Sequence, residues 1–150
     1  MKAGDKQKIE IEMIDEEENV HQVRVTYWVH PHHRDKRPDK SQWTIIPDEE
    51  LKCFVEATHL EKSFGLYLKN DSPNVLGKRK LKAIQEGKKD AELYIARFVH
   101  DVAHKVWHGY PADGELGDQD IPSSYYLKQW KAKGYFTSAQ LSRIHKGKSL

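Results

Sequence analysis

The sequence predicts an α+β fold: an N-terminal β-hairpin and small antiparallel sheet, followed by a mainly helical C-terminal half. Three observations carry this expectation. Apolar residues alternate with charged ones between Ile9 and His30; apolar spacing of three and four dominates Asp90–Gly109; and helix start and stop residues concentrate after Ser72. The 150 residues fit one domain, β-rich over 1–71 and helical over 72–150, and a split near Ser72 is allowed but not required.

Ile9, Ile11 and Met13 alternate with Glu10 and Glu12, the pattern of a half-buried strand. Asp15–Asn19 is a polar turn, and Val20–His30 alternates again through Val23, Val25, Tyr27 and Val29, so the two segments read as a hairpin. His30–Lys40 is a loop, because two prolines and a dense charge run leave nothing to bury. Gln42–Ile46 is a third strand stopped by Pro47. A short helix runs from Asp48 to about Thr58 with Leu51, Phe54 and Val55 on one face. Phe64–Lys69 reads as a strand bounded by Asn70-Asp71-Ser72-Pro73, and Ser72-Pro73 as the start of a helix through Glu86.

The segment Asp90–Gly109 carries the strongest helical pattern. Asp90 is placed to cap it, Gly109 and Pro111 to end it, and Ile95, Phe98, Val99, Val102 and Val106 form an apolar stripe centred near Val102. Asp120-Ile121-Pro122 opens a further helix carrying Leu127 and Trp130 and ending at Gly134. Thr137 and Gln140 have capping-box spacing for a last helix with Leu141 and Ile144.

Composition narrows the function classes. Charged residues make up 32% of the chain, and the mean hydropathy is −0.84. The single cysteine, Cys53, excludes an internal disulfide and a multi-cysteine zinc site. The N-terminus lacks a signal-peptide core and no stretch approaches membrane-spanning length, which implies an intracellular, cytoplasmic protein without a membrane partner. Net charge is only +2, but it is segregated: −4 over residues 1–20, +5 over 69–89, four acidic and no basic residues over 110–120, and six basic and no acidic residues over 121–150. Glycine-rich phosphate loops, serine nucleophile elbows and paired CxxC motifs are absent.

Four candidate sites follow. On a helix, His100, His104 and His108 would form a row opposite the apolar stripe. They could ligate a divalent transition metal, with Asp113 or Asp118 adding an oxygen. His100-Asp101-x-x-His104 has aspartate where a zinc-protease motif needs glutamate. The same face reads alternatively as a hydrolase or nuclease site, with His100 and His104 as acid–base groups, Arg97 stabilising an anionic transition state and Asp101 orienting an imidazole. The bland alternative is an exposed polar helix face. The second candidate is a basic surface for a nucleic acid or a nucleic-acid-processing protein. It comprises Lys128, Lys131, Arg143 and Lys146 on the last two helices, extended by Lys78, Arg79 and Lys82. Third, the His30–Lys40 loop between Trp28 and Trp43 could grip a single strand by stacking and charge, or simply overlie two core tryptophans. Fourth, Trp107–Pro111 leading into Asp113–Asp120 could line a pocket, or pack a helix end. An inhibitor-like protein–protein module, docking through the acidic N-terminal hairpin, is a further alternative.

Overall fold

The expected N-terminal hairpin forms. β1 (Lys6–Ile14) pairs antiparallel with β2 (Val20–Trp28) from Lys6↔Trp28 to Ile14↔Val20. Its turn is closed by the Asp15 carboxylate, which accepts from the backbone N–H groups of Glu17 and Asn19 at 2.9 Å each. The computed structural model describes residues 1–79 and 90–150. The expected helix through Glu86 therefore lies partly outside the described residues, as does Lys82.

The following elements are β3 (Gln42–Trp43), α1 (Pro47–Glu56), β4 (Ser63–Lys69), β5 (Ser72–Asn74), β6 (Gly77–Arg79), β7 (Ala91–Leu93), β8 (Ile95–Asp101), β9 (Val106–Pro111), α2 (Ser124–Ala132) and α3 (Ser138–His145). Among the described residues the protein is mostly β-sheet. A six-stranded sheet has the order β1-β2-β9-β8-β4-β5, and a three-stranded sheet the order β3-β6-β7. This overturns the expected helical second half, since five of the nine described strands lie beyond Ser72 or begin at it.

Two segments account for the difference. Ser72-Pro73 does not start a helix. Asn70 and Asp71 both take positive φ (52° and 60°), the two-residue turn of a tight hairpin, and β5 pairs back onto β4. The Asp90–Gly109 segment is a hairpin too, with β8 and β9 paired from Ala96↔Pro111 to Asp101↔Val106. Its turn is capped by Asp101, whose Oδ1 accepts the His104 N–H at 3.1 Å, and Lys105 adopts φ 54°. Gly109 is a strand residue rather than a helix terminator, and a Cβ there would lie 2.4 Å from the Phe98 ring. Val102, the centre of the supposed apolar stripe, is 73% exposed.

The register assigns the faces of the central sheet. Phe98 and Ala96 of β8 pack with Trp107, Tyr27, Ile11, Phe54 and Cys53 beneath α1. Ile95, with Phe64 and Leu66 of β4, packs on the opposite face against Tyr126, Trp130, Leu141 and Ile144 of α2 and α3. α3 starts with the expected reciprocal cap, Thr137 Oγ1 accepting from the Gln140 N–H (3.1 Å) and Gln140 Oε1 from the Thr137 N–H (2.9 Å). Among the described residues no helix is long and apolar enough to cross a membrane.

Candidate active site

β2 and β9 are the one parallel pair of the central sheet among the described residues, joined at Tyr27↔Trp107. Parallel strands send their carboxyl ends the same way, so the loops after Trp28 and Pro111 emerge side by side. Between them opens a cleft of about 390 Å³, lined by His30, His32, His33, Lys40, Ser41, His108 and Tyr110, by the acidic residues Asp39, Asp113 and Asp120, and by Leu116 and Gln119. The third and fourth candidate stretches thus form one site.

The imidazoles form a cluster. The His30 ring centroid lies 4.7 Å from His32, 5.7 Å from His33 and 5.2 Å from His108. His33 stacks on Tyr110 at 5.0 Å, and Trp28 packs beside His30 at 4.4 Å. Hydrogen bonds assign opposite tautomers to two of the rings. His33 Nδ1 is 2.8 Å from the Ser41 carbonyl, which can only accept, so the proton sits on Nδ1 and neutral His33 keeps its lone pair on Nε2. His30 Nδ1 accepts the His32 backbone N–H at 3.1 Å, so neutral His30 carries its proton on Nε2. One ring is a base, the other a donor.

Burial sets their charge. Desolvation, aided by the neighbouring His108, His32, Lys40 and Arg37, lowers His30 to about 4. Desolvation lowers His33 to about 4 as well, against the Ser41 hydrogen bond. His108 is also lowered by burial, a shift partly opposed by Asp101, and its Nδ1 is buried without a hydrogen-bond partner among the described residues. All three are neutral at pH 7.

The loop bearing these rings is tied down. Gln42, buried at the start of β3, accepts the Lys36 N–H at 2.9 Å and donates to the His32 carbonyl at 2.9 Å. Arg34 donates to Glu50 Oε1 through Nε (3.1 Å) and Nη2 (2.8 Å), and the Tyr27 hydroxyl donates to the other oxygen of this fully buried carboxyl. Desolvation pushes Glu50 up to about 7, against the pull of Tyr27 and Arg34. The Ser41 hydroxyl donates to the Pro111 carbonyl at 2.7 Å, joining the two walls of the cleft.

On the far wall the Tyr110 hydroxyl donates to Asp120 Oδ1 at 2.5 Å and accepts from Arg97 Nη1 at 2.9 Å. Burial and then the Asp120 carboxylate raise Tyr110 well above the ordinary phenol value, so it stays protonated. Asp120 Oδ2 also accepts the Asp113 N–H at 2.9 Å.

The helix-based assignments are corrected accordingly. Strand pairing places His100 against Trp107 (stacked, 5.0 Å) on one face and His108 with Val99 on the other, because alternate residues of a strand point oppositely. His104 sits in the exposed turn, its Nδ1 2.8 Å from Asp101 Oδ2. Asp101 does orient an imidazole, but one at a hairpin tip, where the His104 hydrogen bonds lower its own pKa. His100, His104 and His108 therefore do not converge as metal ligands, and among the described residues no group of three or more His, Cys, Asp or Glu could hold a metal ion. Arg97 lies under the cleft wall, held by Tyr110 and 3.6 Å from Asp120 Oδ1.

Arg79 is likewise corrected. It is 4% exposed and reaches Asp113 Oδ2 (3.3 Å), Glu115 Oε2 (2.7 Å) and the Ser149 hydroxyl (3.2 Å), so it is a buried structural cation. The remaining basic candidates Lys78, Lys128, Lys131, Arg143 and Lys146 are exposed. Trp43 is a core residue, whereas Trp28 is half-buried beside the cleft. Set against protein-family models, curated proteins and solved structures, the chain matches none.

Proposed function

We propose that the protein acts on nucleic acid. The basic surface of α2 and α3 holds the phosphate backbone, and the histidine cleft cleaves a phosphodiester by acid–base chemistry. The observation that carries this reading is the convergence of His30, His32, His33 and His108 with Lys40 in one cleft, two of the rings presenting opposite proton-transfer faces. A neutral imidazole accepts a proton, a neighbouring N–H and ammonium stabilise anionic oxygen, and an entering phosphate raises the proton affinity of every ring around it.

The position of the basic residues supports the same reading. The loop carrying Asp113, Leu116 and Gln119 walls the cleft, and its Gly114 packs directly on Gly147 just after α3, where a Cβ on Gly114 would lie 2.9 Å from the Gly147 Cα. Arg143 and Lys146 are thus one loop away from the histidines.

The test is fluorescence anisotropy of labelled RNA and DNA over a salt series, with cleavage followed in the same tubes. Binding should weaken steeply with salt, and reversing Arg143 and Lys146 to glutamate should reduce the log–log slope by about two. His33→Gln should slow cleavage roughly 100-fold while binding persists. Absence of binding and of cleavage at low salt would sink the reading.

A further inference from the structure

Resting on the proposed phosphodiester cleavage, the geometry points to RNA as the substrate, with the ribose 2′-hydroxyl as the nucleophile and a 2′,3′-cyclic phosphate as the product. The cleft has a base and the Lys40 ammonium, and neither of its hydroxyls is free to attack. The Ser41 hydroxyl is committed to the Pro111 carbonyl, and Tyr110 is clamped between Asp120 and Arg97 as a phenol. Cys53 is 3% exposed in the core under α1, its thiol pushed up to about 12 by burial and the nearby glutamates. No described group of His, Cys, Asp or Glu gathers in the arrangement that would hold a metal and its activated water. Such a site suits a substrate that brings its own nucleophile. A 2′-hydroxyl is already beside the phosphorus, and intramolecular placement of this kind is worth effective concentrations of about 10⁵ M or more.

The step balances without a co-reactant. The His33 Nε2 lone pair takes the proton of the 2′-hydroxyl as the 2′-oxygen bonds to phosphorus. His30 Nε2–H and the Lys40 ammonium meet the two non-bridging oxygens as they gain negative charge. The P–O5′ bond breaks, and the departing 5′-oxygen receives, through water in the open cleft, the proton that His33 Nε2 took from the 2′-hydroxyl. The half-buried Trp28, packed on His30, offers the adjoining base an aromatic surface, which an unpaired strand can reach and a duplex cannot.

The experiment uses the full chain, a short single-stranded oligoribonucleotide, the same oligomer with 2′-O-methyl riboses, and the matching DNA, each with and without EDTA. The expected result is cleavage of the unmodified RNA alone, unaffected by EDTA, leaving 2′,3′-cyclic phosphate ends, with the other two oligomers bound but intact. Lys40→Met should lose activity without loss of fold, and His33→Gln should lose it roughly 100-fold. Cutting of DNA or of 2′-O-methyl RNA, dependence on a chelatable metal, or a nucleotide trapped on the protein would overturn this inference and leave phosphodiester cleavage standing. No cleavage of any oligomer would overturn both.

Discussion

Replacing His33 by glutamine removes one titrating ring from the cleft while leaving an amide able to donate to the Ser41 carbonyl. Folded His33 titrates near 4 rather than 6.5, the cause being burial. The folded state therefore refuses a proton that the unfolded chain accepts between those pH values. Stability is complete above about pH 6.5, falls as the pH drops toward 4, and the penalty is full below that. The 2.5-unit difference between 6.5 and about 4, at 1.36 kcal/mol per unit, sets an upper bound of about 3 kcal/mol. Partial solvent access reduces this to about 2 kcal/mol. Urea unfolding of wild type and His33→Gln at pH 7 and pH 4 measures it, because every other group titrates in both proteins. Wild type should lose about 2 kcal/mol more than the variant over that interval. Equal losses would show that His33 is not held neutral by burial, and would remove it as a base.

Three further outcomes follow from the geometry. Glu50→Ala strands the buried Arg34 guanidinium and frees the loop that carries His33, and should destabilise the fold by about 3–5 kcal/mol in urea titration. Gly109→Ala drives a methyl into the Phe98 ring and should cost about 1–3 kcal/mol by the same assay. Arg79→Met should lower the thermal midpoint by leaving Asp113 without its buried cation. In protein still folded it should leave the salt slope of nucleic-acid binding unchanged, in contrast to Arg143 reversal.

How much could be read in advance depended on whether a segment's pattern had one structural solution. Ile9–Met13 and Val23–Tyr27 alternate strictly, and a half-buried strand is the regular element with that period. Thr137 and Gln140 exchange local hydrogen bonds, which need no distant partner. Ile95, Phe98, Val99, Val102 and Val106 satisfy helical spacing, yet their β-branched and aromatic character also suits a strand. That competing signal was present in the residues. The pairing of β8 with β4 and of β9 with β2 decided between the two.

The candidate site divides along the same line. Three histidines within four residues after a strand, and a tyrosine–proline turn leading into an acidic loop, were visible as separate stretches. Nothing local says that they meet. The parallel Tyr27↔Trp107 pair brings them together, and long-range strand pairing leaves almost no imprint on either strand alone. Arg79 shows the converse. Within its basic run it looks solvated, and only the distant Asp113, Glu115 and Ser149 make it a buried cation. The sequence by itself determined the charge segregation, the first hairpin and the Thr137–Gln140 cap, because those are set by neighbours along the chain. Tertiary structure decided which histidines share a cleft and which tautomers they take, because burial and carbonyl partners come from residues far away in sequence.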